Sequence, residues 1–280
     1  MPPARIIFWA ATLGGIVVSA RAILIGPPPL VIAVGYVLAY FAILLSGVFV
    51  LRLRMFSDAI VQGNAGARGV VLTFDDGPDP VHTREVLAVL AEHGAKATFF
   101  VIGRKAEEHP DVVREIVADG HAVGIHGWAH DRLLSLRSSR RVQKDLRRAM
   151  QAIETITGER PLLFRPPIGH TNLTIAREAD KLDLETVGWS ASARDGLRTT
   201  KPKDVLRRIT PNLKDGAILL LHDAPERGTR RPSGVAALPE ILARIRDRNL
   251  KVAHLPDWLD LDQDDDAATG SSTTKRAPPS

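Results

Sequence analysis

Downstream of residue 69 the sequence predicts an α/β chain whose parallel strands form a barrel rather than an open sheet, on three observations. Short apolar runs alternate with segments of helical period, the pattern of repeated strand–helix units. Charged and imidazole side chains stand at successive strand C-terminal ends, where a barrel rather than an open sheet collects its chemistry. About 190 of the 280 residues follow this pattern, enough for one sizeable core.

Residues 70–74 form the first strand, and residues 83–93, closed by Gly94, form the helix after it. A second strand spans 98–102. Pro110 opens a helix over 111–118 that stops before Gly120, and 120–125 reads as a short buried strand. Residues 140–157 make a long helix, with Val142, Leu146, Met150 and Ile153 at core spacing and Gly158 as its stop. Strands at 162–164, 185–189, 217–221 and 251–255 complete the pattern, without an internal repeat.

The first 55 residues differ in kind. Residues 30–51 are an uncharged apolar run of 22, long enough to span a bilayer. Residues 6–25 are a second candidate span, interrupted only by Arg21 near its end, where the side chain can snorkel. Pro27, Pro28 and Pro29 separate the two. The expected organisation is a membrane anchor over 1–55, a linker over 56–68, a catalytic domain over 69–262 and a disordered tail over 263–280, acidic and then Ser/Thr/Pro-rich. The alternative for the first run is a signal peptide, with Arg5, an apolar stretch to Val18 and Ala20-Arg21-Ala22 as cleavage site, which leaves 30–51 as a stop-transfer helix. Arg52 and Arg54 follow the second span. The positive-inside rule therefore puts the catalytic domain on the cytoplasmic face, an outward-facing domain being the alternative.

The net charge of +5 and pI of 9.7 raise nucleic acid as a partner, but no aromatic-interleaved basic stripe supports it. The densest basic cluster, Arg140, Arg141, Lys144, Arg147 and Arg148, reads as a solvated helix face or as a surface against anionic lipid. The chain has no Cys, which excludes disulfides, thiol catalysis and a thiolate-bound structural zinc.

The run Thr73-Phe74-Asp75-Asp76-Gly77-Pro78 sets two adjacent carboxylates at the end of the first strand. Such a pair repels itself unless a cation or strong donors compensate, so it reads either as a polar turn or as part of a metal site. His126-Gly127-Trp128-Ala129-His130 places two imidazoles four positions apart, a spacing that shares one face on a helical turn. With Asp76 they make a set of two His and one carboxylate with open positions for water and substrate, a catalytic rather than a structural composition.

In these motifs the chain resembles the polysaccharide deacetylase family, the NodB-homology domain of carbohydrate esterases that act on N-acetylated sugars. Five motifs match in order over about residues 69–258: Thr73 to Gly77, His126 to His130, Arg165-Pro166-Pro167-Ile168-Gly169, Trp189 to Asp195, and Leu220-Leu221-His222-Asp223. The resemblance implies a distorted, incomplete (β/α) barrel preceded by one or two transmembrane helices. It also divides the carboxylate pair, which the residues alone leave undivided: Asp75 is implied as general base and Asp76 as metal ligand beside His126 and His130. His222 is implied as the acid that protonates the departing amine, oriented by Asp195. Arg165 is implied to pair with Asp75, since an adjacent guanidinium favours an ionised carboxylate and fixes its rotamer. Leu220 is implied to line the acyl-methyl pocket, and the backbone N–H near Ile168 to help hold the oxyanion.

The expected protein is therefore a metal-dependent hydrolase that removes an N-acetyl or N-formyl group from an amino sugar of a cell-envelope glycan or lipid-linked saccharide at a bacterial inner membrane. The rival is an inactive saccharide-binding or scaffold homologue. The ligand set favours Zn²⁺, with Co²⁺, Ni²⁺ and Mn²⁺ as other occupants. Three positions depart from the family pattern. Gly127 stands where a Ser or Thr is usual, Ile168 where an aromatic often stands, and Gly196 where Trp often follows the Asp. The last two leave fewer faces for stacking sugar rings, which argues against a long glycan and for a smaller or lipid-linked saccharide.

Overall fold

The computed structural model describes residues 1–259, so the expected domain end at 262 and the tail over 263–280 lie outside the described residues. Two apolar helices come first, α1 (Pro3–Leu24) and α2 (Leu30–Phe49), with mean hydropathies of 1.8 and 2.3 and almost all of their surface facing outward. Length and composition suit both to crossing a membrane. They pack as an antiparallel hairpin, with Thr12 Oγ1 3.1 Å from the Tyr40 hydroxyl and the Tyr36 hydroxyl donating to the Ala11 carbonyl. The start of α1 and the end of α2 therefore lie together. Arg5 pairs there with Asp58 at 2.9 Å and donates to the Met55 carbonyl, while Phe8, Met55 and Phe56 bury one another with Leu173 against them.

Residues 56–68 run against the domain that comes after them. Ile60 bridges to Val187, its N–H donating to the Thr186 carbonyl at 2.8 Å, and Ala59 and Val61 are buried. The domain then alternates in chain order: β1 (Val70–Asp75), α3 (His82–Glu92), β2 (Thr98–Val101), α4 (Gly103–Glu108), α5 (Pro110–Ala118), β3 (Ala122–Ile125), α6 (Ser139–Thr157), β4 (Leu163–Phe164), α7 (Leu173–Asp180), β5 (Glu185–Thr186), β6 (Ala191–Ser192), α8 (Pro202–Ile209), β7 (Ala217–His222), α9 (Ser233–Asp247) and β8 (Val252–Ala253). The sheet is parallel throughout, in the order β5-β4-β3-β2-β1-β7-β6. β8 pairs with Val70 and Val71 of β1, below the stretch from Thr73 to Asp75 that β2 covers. The two outermost strands, β5 and β6, are consecutive in the chain with only 187–190 between them, so the sheet curls into the expected incomplete barrel.

Period-two alternation sorts the strand side chains into two cores. Val70, Leu72, Phe74, Phe99, Val101, Leu219 and Leu221 face outward into the layer under the helices. Val71, Phe100, Leu163, Ile218, Leu255 and Trp258 fill the lower interior of the curl. Each fully buried Leu, Val or Phe in these layers contributes about 1.5–3 kcal/mol. Above the inner layer, on the same alternation, come Thr73 and Leu220, and then Asp75 opposite His222. The interior thus changes from apolar to polar toward the strand C-terminal ends.

The expected helices near 83–93, 111–118 and 140–157 are present within a residue of those bounds. The sequence reading did not anticipate α4, α7, α8, α9 or β6. In α9 the interior Pro239 masks the helix, which the buried face of Val235, Leu238, Ile241, Leu242 and Ile245 nonetheless holds together. The strand expected over 185–189 stops at Thr186, because the chain there leaves the sheet edge to cross the gap.

Candidate active site

β1 and β4 supply the first half of the site. Arg165 follows β4 and is fully buried inside the curl. Its Nη1 donates to Asp75 Oδ1 and to Thr73 Oγ1, both at 2.7 Å, its Nε to the Val187 carbonyl at 3.2 Å, and its Nη2 to the Gly188 carbonyl at 2.8 Å. The planar fork therefore does two things at once. It fixes Asp75, and it ties the stretch that bridges β5 and β6 to the barrel interior. The guanidinium also lies 4.1 Å from the centre of the Phe100 ring, on a cation–π contact.

Asp76 leaves the strand in a left-handed conformation, φ 75°, and points toward His126 and His130. The helical turn read from the i, i+4 spacing does not form. His126 follows β3 directly, and the chain then doubles back through Gly127 at φ 74° and His130 at φ 52°, bringing the two rings to 4.9 Å. Three contacts hold this loop: the Gly103 and Arg104 N–H groups at the start of α4 donate to the Gly127 and Trp128 carbonyls, and Trp128 N–H donates to Asp145 Oδ1 at 2.9 Å. Position 103 needs glycine for closeness. A Cβ there would stand 2.8 Å from the Trp128 ring and 2.9 Å from Ala149 Cα. Position 127 needs it for its φ, and a Cβ would also come within 3.0 Å of Asp145 Oδ1, so the usual hydroxyl residue does not suit this loop.

The donor atoms of Asp76, His126 and His130 lie within 4.8 Å of one another, all buried, and their chemistry fits a divalent metal. His126 Nδ1 is 2.7 Å from the Arg165 carbonyl, which can only accept, so Nδ1 carries the proton and Nε2 presents a lone pair. Burial holds this imidazole below its ordinary pKa and hence neutral. Asp76 Oδ1 stands 3.7 Å from that Nε2 and 3.4 Å from His130 Nε2, buried and without a hydrogen-bond partner among the described residues. A buried, unpartnered carboxylate oxygen facing the His126 lone pair suits a cation placed between them.

The second half of the site stands on β7. His222 is the register partner of Asp75. Its Nδ1 is 2.8 Å from Asp195 Oδ1, its backbone N–H donates to Asp195 Oδ2 at 2.9 Å, and its Nε2 faces Asp76 Oδ2 at 3.9 Å. Burial disfavours the charged ring, but the charge and hydrogen bond of Asp195, with Asp76 and Asp75 behind them, outweigh it and push His222 up to about 10.

The structure thus brings Asp75, Asp76, His126, His130, Arg165, Asp195 and His222 together, and the other two expected residues lie differently. Leu220 sits in the interior below His222, 7% exposed. Ile168 stands at the rim in a left-handed conformation, φ 52°, partly open to solvent. Gly196 lies over His222, where a Cβ would meet ring atoms Cε1 and Nε2 at 3.2 Å.

Three further groups escaped the sequence reading. Lys105 Nζ donates to the carbonyls of Asp76 and Pro225, at 2.7 and 2.8 Å, tying the loops after β1 and β7, and burial lowers its pKa. Glu226 places Oε1 3.4 Å from His130 Nδ1 and Oε2 2.8 Å from Arg132. Asp145 steadies the Trp128 loop, and burial raises its carboxyl. Of these only Asp145 left a trace in the sequence, as a carboxylate three residues after Val142 on the apolar face of the long helix.

Known proteins are similar to this chain in sequence and fold. The polysaccharide deacetylase family profile matches residues 62–187. A peptidoglycan-N-acetylglucosamine deacetylase of Bacillus cereus is 33% identical over 192 residues, 68% of this chain and 87% of that protein. A chitooligosaccharide deacetylase of Sinorhizobium fredii is 35% identical over 205 residues, 70% of this chain and 94% of that one. Among solved structures, a CE4 family pseudoenzyme from Bacillus anthracis superposes with a TM-score of 0.65 at 26% identity, covering 74% of this chain and 71% of its own. Similarity spanning most of each curated relative, on a half-barrel that such a solved structure shares, makes this chain a member of the polysaccharide deacetylase family.

Proposed function

We propose that the chain is a metal-dependent hydrolase that removes the N-acetyl, or N-formyl, group from an amino sugar of a cell-envelope saccharide. The observation that carries this is the register pairing of Asp75 with His222 beside the Asp76–His126–His130 cluster. A carboxylate and an imidazole stand side by side at two strand ends, each held by a buried partner of opposite charge.

In this reading Asp75 is the base. Arg165 occupies its Oδ1 and leaves Oδ2 free to take a proton from the attacking water. Asp76, His126 and His130 would hold a divalent ion, which would supply Lewis acidity toward the acyl carbonyl and water; Zn²⁺ suits two imidazoles and one carboxylate best, with Co²⁺, Ni²⁺ or Mn²⁺ as alternatives. Water adds to the acyl carbon, and His222, its Nδ1 engaged by Asp195, delivers a proton from Nε2 to the amide nitrogen. The C–N bond then breaks to release the carboxylate and the free amine. Leu220 and Ile168 are proposed to line the acyl and sugar sides of the cleft.

The catalytic domain is proposed to span 69–262 and to be anchored by the hairpin. Arg5, Arg52 and Arg54 cluster at the end of the hairpin nearest the domain, against Arg21 at the far end, which favours a cytoplasmic domain. An aromatic-poor rim, with Ile168 and Gly196 at the sugar wall, favours a small or lipid-linked saccharide over a long glycan.

The test is release of acetate or formate from N-acylated amino sugars with added Zn²⁺ or Co²⁺, set against Asp75→Asn and His126→Ala. Turnover by the unaltered chain alone is the expected result. One metal bound per chain with no turnover on any such substrate would replace this reading with a saccharide-binding homologue.

A further inference from the structure

The end of the membrane hairpin is bound directly to the mouth of the site. The Val48 carbonyl in the last turn of α2 accepts the Thr171 N–H at 3.1 Å, and the Phe49 ring meets the His170 imidazole edge-on at 4.7 Å. Asn172, next in the chain, caps α7 with its oxygen and donates from Nδ2 to the Ser135 carbonyl at 2.5 Å. Ser135 belongs to the loop over 131–137 that follows His130. Two hydrogen bonds, between Thr171 and Val48 and between Asn172 and Ser135, therefore connect α2, which is long and apolar enough to cross a membrane, to that loop.

The loop has the composition of an interfacial surface. Leu133 and Leu136 are 53% and 77% exposed, while Leu134 between them is buried as its anchor. Exposed arginines flank them, Arg132, Arg137, Arg140 and Arg141, against two acids: Asp131, which Arg137 holds at 2.7 Å, and Glu226, which pairs with Arg132 at 2.8 Å. Exposed leucines beside arginines suit a segment that lies in the headgroup region. Alongside lies a cleft of about 570 Å³ that begins at His130 and is lined by Trp128, Leu133, Arg132, Arg141 and Arg227, with Asp131 and Asp145.

We propose that the loop over 131–137 rests in the same bilayer as the hairpin, with Leu133 and Leu136 entering the boundary between headgroups and acyl chains and the flanking arginines facing anionic headgroups, so that the cleft at His130 opens onto the membrane surface. The partner is a lipid surface carrying negative charge. This deepens the proposed function by delivering the substrate along the bilayer, and it rests on the hairpin being membrane-embedded.

Since the chain has no cysteine, an introduced one is unique. The full-length protein, labelled with an environment-sensitive fluorophore at Leu136→Cys, is reconstituted in phosphatidylcholine nanodiscs carrying a nitroxide near the headgroup. Glu92→Cys, exposed at the opposite end of α3, and Leu38→Cys, inside α2, serve as references. The expected result is quenching at position 136 at least about twofold above that at position 92, rising when phosphatidylglycerol is added. Quenching at 136 no greater than at 92, with strong quenching at 38, overturns the proposal and leaves the anchor intact. Absence of quenching at 38 overturns the anchor as well, and the deacetylase reading is judged separately by acyl release in the same nanodiscs. A gain that does not respond to phosphatidylglycerol overturns the role given to the arginines.

Discussion

On the floor of the half-barrel each proposed reacting group is held by a buried partner of opposite charge, Asp75 by Arg165 and His222 by Asp195. At the mouth the charges also pair, Arg132 with Glu226 and Arg137 with Asp131, but in contact with water. The geometry is similar and the energetics are not. A floor partner has no solvent to replace it, so its loss leaves an uncompensated charge. A mouth partner exchanges its contact for water at little cost. The floor is therefore suited to fixing a reaction and the mouth to adapting to a substrate.

Changes that break the floor should have the largest effects, first on turnover. Asp75→Asn is expected to lower kcat by about 10²- to 10⁴-fold, the usual worth of a general base, while retaining one metal ion per chain by elemental analysis. His126→Ala should lose the ion and the activity together. A variant at Asp75 that lost metal as readily as one at His126 would show that the two carboxylates have been assigned the wrong way round.

Stability comes next. Arg165→Met should cost about 3–5 kcal/mol, because Asp75 is left buried and Thr73, Val187 and Gly188 each lose a donor. Arg132→Met at the mouth should cost no more than about 1 kcal/mol. Urea unfolding of the full chain in micelles, followed by tryptophan fluorescence, compares the two. Equal losses would remove the distinction between floor and mouth.

The same division separates what was legible in the sequence from what was not. The floor residues sit at strand ends in short motifs, so Asp75, His126 and His222 stand out locally, whereas the pairing of Arg165 with Asp75 and the division of roles follow only from the family resemblance, Arg165 beside two prolines reading by itself as a surface residue. The mouth was not legible in this way. Glu226, Lys105 and the α2–Thr171 contact join segments far apart in the chain, and no local pattern marks which loop will meet which. The i, i+4 reading of His126 and His130 found the right pair through the wrong local structure, since Gly127 turns the chain where a helix would have continued it. α8, with only Val205 and Ile209 buried, and α9, interrupted by Pro239, presented too little or too broken an apolar stripe to be seen.

A smaller effect sharpens the boundary where the mouth meets the floor. Gly196 lies against His222 and leaves its Nε2 open. Gly196→Ala puts a methyl group 3.2 Å from that nitrogen and from Cε1, tighter than an ordinary contact, so the ring or the loop must shift by a few tenths of an ångström. The expected result is a fall in kcat of about tenfold, as a modest displacement of an acid produces, with the urea midpoint unchanged. A midpoint that fell with the rate would mean the glycine serves the fold rather than the cleft.

The smallest effect belongs to neither region and serves as their control. His121 lies at the N-terminal end of β3, away from the site, and its Nδ1 accepts the Ala97 N–H at 3.2 Å. Burial, assisted by Lys96, lowers this imidazole from 6.5 to about 4. Between those values the unfolded chain binds a proton that the folded chain refuses, so stability is full above pH 6.5 and declines as the pH falls toward 4. His121→Asn keeps an acceptor for the Ala97 N–H and removes the titration. The urea midpoint of the variant should depend less on pH across that interval than that of the unaltered chain, with turnover at neutral pH the same in both. An identical pH dependence would assign the acid sensitivity to other groups, and a change in neutral turnover would show that the lower sheet is coupled to the floor after all.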